Sequence, residues 1–168
     1  NREEMKHQVA EYLTQNQKRI WEIVGRHLRE VPHIGDYKVR EGTICADFSY
    51  ILGKTLSQVF SVSFNELRSA AFMIVYGRLQ LFQNVAASPH WWIAFYFRGR
   101  PLLVIDPTRV QIDKSYVEQI FVDDYDAETD HYIGTTPPGV SDWFDRRYAG
   151  RKELAIAEQT AIEEIVFS

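Results

Sequence analysis

Two strongly apolar runs joined by a short glycine-containing turn constrain this chain more than any other feature. The runs are Trp91–Phe97 and Pro101–Ile105, and Arg98-Gly99-Arg100 connects them. Aromatic and β-branched residues favour strands, and a glycine supplies the positive φ that a tight loop needs. The sequence therefore predicts an antiparallel β-hairpin over these residues.

The pairing within this hairpin brings two polar side chains to one face. A turn centred on Arg98 places His90 directly opposite Asp106, and a turn centred one residue later places Trp92 opposite Asp106. In both registers His90 and Asp106 share a face, because side chains alternate along a strand. The other face is apolar and is predicted to join the core, with Trp91, Ile93, Phe95, Phe97, Leu103 and Ile105.

Helical periodicity surrounds the hairpin. Residues 3–30 form a predicted amphipathic helix, and a second helix is predicted to begin near Cys45 with Thr43 as its N-cap. Shorter elements follow from the same patterns: strands over 72–76 and 79–82, a helix capped by Ser141 that ends at Gly150, and a helical tail over 152–164. The mixture predicts one α+β domain over 1–168, in which residues 1–35 are an N-terminal helical extension.

Length and composition limit the classes of function. The 168 residues suffice for one domain with a real core, and the formal charge of −4 gives no electrostatic reason to bind nucleic acid or an anionic membrane. No stretch approaches the roughly 20 apolar residues of a membrane span. The single cysteine excludes an intramolecular disulfide and a Cys-rich zinc site, which fits a reducing compartment. Because the chain starts at Asn1 rather than Met, we expect a part of a larger polypeptide, either cytoplasmic or exported as an effector or toxin.

Cys45, His90 and Asp106 form the constellation that carries chemistry. A carboxylate beside an imidazole accepts one ring N–H, fixes the tautomer and stabilises the imidazolium that forms when the other nitrogen takes a proton. Cys45 lies at a predicted helix start, where unpaired N–H groups and the helix dipole favour a thiolate. A helix-borne cysteine with a strand-borne histidine and aspartate suits thiol acyl transfer.

Each of these residues also has an ordinary structural explanation. A lone cysteine is by default a small buried hydrophobe, a lone strand histidine is more often structural, and an aspartate before a proline forms turns. The shared face of His90 and Asp106, together with a cysteine at a helix start, favours the catalytic hypothesis.

An acidic stretch over 123–131 has two interpretations. Several carboxylates can bind a hard cation, but the stretch lacks the glycine and the spacing of a calcium loop. A solvated acidic loop is therefore predicted, with no metal ligand assigned in the chain. Its charged residues are Asp123, Asp124, Asp126, Glu128, Asp130 and His131.

The sequence resembles the transglutaminase-like superfamily of papain-type folds in three segments. These are Gly42-Thr-Ile-Cys-Ala-Asp-Phe-Ser-Tyr-Ile-Leu52, His90-Trp-Trp92 and Leu102-Leu-Val-Ile-Asp-Pro-Thr108. The resemblance implies a nucleophile helix packed on an antiparallel sheet. It implies Cys45 as nucleophile, His90 as general base and acid, and Asp106 as the residue that orients the imidazole.

The same resemblance implies acyl transfer from a protein or peptide amide through a thioester, without a cofactor. Hydrolysis, by a glutamine deamidase or a protease, is favoured over transglutaminase crosslinking because water is always present. Trp92 and Tyr37 are predicted on the substrate side, and the Cys45 N–H is the default oxyanion donor, with Tyr37, Gln80 and Gln83 as other candidates. Two alternatives stay open: a small-molecule acyltransferase of arylamine N-acetyltransferase type, and a catalytically silent binding module.

Overall fold

The computed structural model describes residues 1–32 and 44–168, which form a mixed α+β fold. The helices of this part of the chain are α1 (Arg2–Arg29), α2 (Cys45–Phe60), α3 (Val140–Ala149) and α4 (Lys152–Phe167). Its strands are β1 (Ser63–Phe64), β2 (Ala70–Phe82), β3 (Val85–Phe97), β4 (Arg100–Asp106), β5 (Phe121–Asp124) and β6 (Tyr132–Thr135). The coarse α+β prediction is confirmed.

Helix α1 contributes directly to the core. Asn1 caps its start, since the Asn1 side chain accepts a hydrogen bond from the Glu4 N–H at 2.9 Å. Its apolar stripe is fully buried against the other helices and the sheet, through Val9, Leu13, Ile20, Val24 and Leu28. Near its middle, Arg19 donates to the main-chain oxygens of Glu164 and Ile165 in α4. The helix predicted over 3–30 is confirmed.

Helix α2 begins at Cys45, as the sequence predicts. Ile44 is the residue at the N-cap and offers no side-chain hydrogen bond, while the predicted cap Thr43 lies outside the described residues. Phe48, Leu52 and Leu56 repeat along one side and are completely buried. The helix is therefore held by packing rather than by a polar cap.

The sheet is ordered β1-β2-β3-β4-β5, with β6 also paired to β2. The strands predicted over 72–76 and 79–82 are one long strand, β2, with an irregularity between Gly77 and Leu79. β6 approaches β2 closely at Gly77, where a Cβ atom would collide with the Ile133 carbonyl. All the pairings in the sheet are antiparallel except that of β1 with β2.

The β3–β4 hairpin has the predicted turn and the second of the two predicted registers. Arg98 and Gly99 form the turn with φ values of 51° and 78°. Beyond an irregularity at the tip, Ile93 pairs with Ile105, so the register brings Trp92 level with Asp106. His90 therefore lies two residues further along β3, on the same face as Asp106.

Both faces of the sheet are covered. The larger apolar cluster joins the helices to Ile93, Phe95, Leu103 and Ile105, as predicted for that face. A smaller cluster covers the opposite face, with Val75, Leu79, Ala87, Trp92, Ala94, Val104, Phe121 and Tyr132. The polar pair His90 and Asp106 is thus buried beside this second cluster.

The C-terminal helices agree with prediction apart from one cap. α3 is capped by Gly139, whose φ of 73° is left-handed, and not by Ser141, and Gly150 ends it. α4 extends slightly beyond the predicted tail. Among the described residues, no helix has the length and apolar character needed to cross a membrane.

Candidate active site

Asp106 ends strand β4, and every contact it makes holds the carboxylate in one orientation. Its Oδ1 accepts from the Thr108 N–H at 2.9 Å and from the Thr108 hydroxyl at 3.4 Å. Its Oδ2 accepts from the Tyr132 hydroxyl at 2.8 Å and lies 2.8 Å from His90 Nε2. The residue is 0% exposed, so the carboxylate is buried but fully hydrogen-bonded.

Tyr132 remains a donor to this carboxylate. Burial raises the pKa of the Tyr132 phenol well above its usual value, and the negative charge of Asp106 raises it further. The phenol therefore keeps its proton at any physiological pH and donates it in the hydrogen bond to Asp106.

His90 is a buried histidine with a hydrogen-bond partner at each ring nitrogen. Nε2 meets Asp106, and Nδ1 lies 3.1 Å from Gln111 Oε1. Trp92 stacks beneath the ring, with centroids 5.9 Å apart and an angle of 25°. Two oxygen partners suit the imidazolium, in which both nitrogens donate.

The charge balance around this ring favours the protonated form. Burial by itself would lower the pKa of His90, but the charge and hydrogen bond of Asp106, together with weaker effects of Cys45, raise it to about 10. Because Cys45 contributes to this pKa, its thiol lies close to the imidazole. His90 is therefore a cation at neutral pH, next to a cysteine.

Cys45 occupies the first turn of α2 and is 9% exposed, whereas His90 is 0% exposed. Helix geometry leaves the first N–H groups of α2 without partners inside the helix. One turn later, Ser49 donates to the Trp91 carbonyl at 3.3 Å and fixes α2 against β3 next to His90. The sulfur is thus close to the ring and retains limited access to solvent.

A second buried carboxylate, Asp47, secures the same helix end. Arg147 of α3 binds it with two hydrogen bonds of 2.9 and 2.8 Å, and the Tyr148 hydroxyl donates at 3.0 Å. Asp47 is 3% exposed. The first turn of α2, and with it Cys45, is therefore clamped to α3.

The structure places His90 in contact with Asp106 and Cys45 close to His90, whereas the predicted substrate-side residue Trp92 is buried. Trp92 is 1% exposed because Tyr132 and the ring of His90 cover it. The face that carries it is buried, which the alternation pattern alone does not reveal. The predicted Tyr37 lies outside the described residues.

Of the candidate oxyanion donors, Gln80 is committed elsewhere. Its side-chain nitrogen bonds the carbonyls of Phe82 and Gln83 at the β2–β3 turn. The Cys45 N–H belongs to the first turn of α2 and stays the default candidate.

Two partners of the site were not found from the sequence: Gln111 and Tyr132. Gln111 ends a short 3-10 helix, Arg109–Gln111, that follows Asp106 and is anchored by the buried Val110. Tyr132 is in β6, 26 residues beyond Asp106. No local pattern marks either residue, because only the folded sheet brings them to the pair.

Most charges of the acidic stretch have protein partners. Asp124 lies 3.2 Å from the Lys6 ammonium, and Glu128 lies 3.2 Å from the His131 ring. Within residues 1–32 and 44–168, no group of three or more His, Cys, Asp or Glu side chains is arranged to hold a metal ion.

An aromatic groove opens beside the site, with a volume of about 450 Å³. We use this name for the cavity lined by Tyr76, Pro89, Trp91, Pro137, Pro138, Gly139, Val140 and Trp143. Pro89 and Trp91 flank His90 in β3, and Trp143 belongs to α3, whose Arg147 binds the first turn of α2 that carries Cys45, so the groove lies near the candidate active site.

Comparison with known proteins identifies no relative. The chain matches no protein-family model, no curated protein and no solved structure. Function must therefore be argued from the geometry of the site itself.

Proposed function

We propose that this chain is a thiol enzyme of papain-like, transglutaminase-like fold that transfers the acyl group of a protein amide through a thioester on Cys45. His90 is the general base and acid, and Asp106 orients it. Hydrolysis is the favoured outcome, as a glutamine deamidase or a protease. The three sequence motifs and the mixed fold, with α2 packed on an antiparallel sheet, support this proposal.

One observation carries the proposal: the buried contact of 2.8 Å between His90 Nε2 and Asp106 Oδ2, at a ring whose pKa Cys45 also raises. The Asp106 carboxylate holds an imidazole close to the only thiol of the chain. That arrangement favours a thiolate–imidazolium pair.

The proposed reaction has two steps. The Cys45 thiolate attacks the amide carbon, the C–N bond breaks, and the His90 imidazolium gives its Nδ1 proton to the leaving ammonia or amine. Water then attacks the thioester while Nδ1 takes one of its protons, and the carboxylic acid product leaves as the thiolate is restored. In this proposal the N–H groups at the start of α2 stabilise the oxyanion of both steps.

Gln111 is proposed to position the incoming water. Its Oε1 occupies the neighbourhood of Nδ1, and it is partly exposed whereas the ring is not. Water that reaches Nδ1 must therefore pass this carboxamide, which can accept the second hydrogen of the water. Replacing Gln111 with Leu is expected to slow deacylation more than acylation.

The first experiment measures the reactivity of the thiol. Iodoacetamide is expected to label Cys45 well below pH 8, and His90→Ala is expected to slow that labelling about tenfold or more. His7→Ala, at an exposed histidine of α1, is the matched control and should change nothing. A labelling profile like that of a free peptide cysteine would contradict the proposal.

The second experiment identifies the acceptor. The protein is incubated with a glutamine-rich protein, with and without added primary amine, and the products are weighed. A gain of about one dalton indicates deamidation, a gain of the amine minus ammonia indicates transfer, and fragments indicate proteolysis. An acetyl group on Cys45 after incubation with acetyl coenzyme A would instead favour the small-molecule acyltransferase.

A catalytically silent binding module is the second candidate, and the burial of the site favours it. His90 is 0% exposed and Cys45 is 9% exposed, which restricts the approach of a polypeptide. The iodoacetamide experiment separates the two, because a silent module requires no enhanced reactivity of Cys45.

A further inference from the structure

Two large aromatic side chains of the aromatic groove are exposed to solvent. The Tyr76 side chain is 39% exposed and the Trp143 side chain is 42% exposed. Trp91 links them, with ring centroids 4.6 Å from Tyr76 and 5.6 Å from Trp143. Clustered exposed aromatics of this kind are typical of binding surfaces.

The walls of the groove are rigid before any ligand arrives. Pro89, Pro137 and Pro138 have restricted backbones, which lowers the entropy lost on binding. The Thr136 hydroxyl donates to the Ile74 carbonyl at 2.7 Å and fixes the segment that leads into the two adjacent prolines. An apolar side chain can therefore enter a preformed site.

Basic side chains border one end of the groove. Trp143 belongs also to a neighbouring surface depression, whose other lining residues are Arg146, Arg147 and Arg151. Arg147 is paired with Asp47 and Arg151 donates to the Pro32 carbonyl, whereas no carboxylate among the described residues lines this depression. The border therefore attracts a negatively charged group.

We propose that the aromatic groove binds a large apolar side chain of the protein substrate, next in sequence to the reacting amide, and that Arg146 and Arg151 bind an acidic residue beside it. This inference rests on the proposed function, since it assigns the substrate of the same site. The substrate class is accordingly a peptide segment with an aromatic or branched residue flanked by glutamate or aspartate.

Binding is tested with short peptides and the intrinsic fluorescence of the tryptophans in the groove. The probe is an acetylated five-residue peptide with Gln in the centre, Phe on both sides and Glu at both ends, so the direction of binding is immaterial. We expect it to bind about tenfold more tightly than the same peptide with Ala in place of Phe. Equal affinities for the two peptides would overturn the proposal.

Variants of Trp143 test whether the preference for the Phe peptide arises in the aromatic groove. Trp143→Ala is expected to reduce the Phe-over-Ala preference below about twofold, and Trp143→Phe to restore most of it. Phe82→Ala, at an aromatic residue that is 72% exposed and outside the groove, is the matched control and should keep the full preference. A preference that survives in Trp143→Ala would place the binding elsewhere.

Charge reversal tests the basic border. Arg146→Glu is expected to lower the preference for Glu-ended over Lys-ended peptides by about threefold or more. An unchanged preference would show that Arg146 does not bind an acidic residue of the substrate.

Failure of this inference differs from failure of the proposed function. If the peptides bind with the predicted preference while Cys45 shows ordinary thiol reactivity, the groove is a binding site and the enzymatic proposal is wrong. If Cys45 is activated by His90 but the peptides show no preference, the enzyme stands and the groove has no part in recognition.

Discussion

Two buried carboxylates, Asp47 and Asp106, flank the candidate active site and differ in the cation that each one faces. Asp47 is bound by Arg147 with two hydrogen bonds and by the Tyr148 hydroxyl. Asp106 faces His90 and accepts from the Tyr132 hydroxyl. Each carboxylate thus has one cationic partner and one buried tyrosine.

The difference lies in whether the partner can lose its proton. A guanidinium stays charged at all accessible pH values, so Asp47 forms a permanent clamp between α2 and α3. An imidazolium can give up a proton, so the Asp106 pair can take part in a reaction. Similar contacts therefore serve the placement of Cys45 in one case and proton transfer in the other.

The largest expected effect is on the reaction. Asp106→Asn is expected to reduce the hydrolysis of p-nitrophenyl acetate by about a thousandfold, because a carboxamide cannot stabilise the imidazolium or hold its tautomer. Release of p-nitrophenolate is the measurement. Asp47→Asn is the matched control and should remain within about threefold of the original chain, and an equal loss in both variants would remove the distinction between the two carboxylates.

The next effect is on stability. Asp47→Ala is expected to lower the free energy of unfolding by about 3 kcal/mol, because it leaves the Arg147 guanidinium and the Tyr148 hydroxyl without their buried partner. Urea unfolding followed by circular dichroism measures it. Asp145→Ala, at an exposed position of α3, should change stability by less than about 0.5 kcal/mol. A similarly small change for Asp47→Ala would show that the clamp has no energetic importance.

The pH dependence separates the two pairs again. Since the pKa of His90 is about 10 in the folded chain against 6.5 ordinarily, its stabilisation is complete below pH 6.5 and is lost as the pH rises through about 10. We expect this loss to appear as a fall in the free energy of unfolding over that range, measured by urea unfolding at several pH values. The variant His90→Gln should lack this component, and identical pH profiles for the two proteins would contradict it.

The smallest effects come from the two tyrosines. Tyr132→Phe and Tyr148→Phe each remove one hydrogen bond to a buried carboxylate, and each is expected to cost about 1.5 kcal/mol of stability. Only Tyr132→Phe should also slow p-nitrophenyl acetate hydrolysis, by about fivefold, because it alone touches the carboxylate that orients His90. A kinetic effect of equal size in Tyr148→Phe would argue that both carboxylates act in the same way.

The sequence predicts the centre of the site because that part depends on local structure. His90 and Asp106 belong to one hairpin, and strand alternation puts them on a common face in either register. The start of α2 at Cys45 follows from its apolar stripe. These inferences need no knowledge of which distant segments meet.

The partners of the site depend on long-range packing and could not be predicted. Arg147 is 100 residues from Asp47, and Gln111 is 21 residues from His90. The burial of Trp92 could not be predicted for the same reason, since the face that carries it is covered by Phe121 and Tyr132 from later strands. A strand pattern indicates which residues share a face but not whether a second layer will cover it.

The tip of the β3–β4 hairpin offers a practical handle. Gly99 has open space around it, and Phe97 lies seven residues along β3 from His90, roughly 24 Å in an extended strand. A foreign module inserted between Arg98 and Gly99 would leave the strand pairing intact and stay remote from the thiol. Fluorescent proteins or epitope tags placed there would make this chain traceable in cells without disturbing the candidate active site.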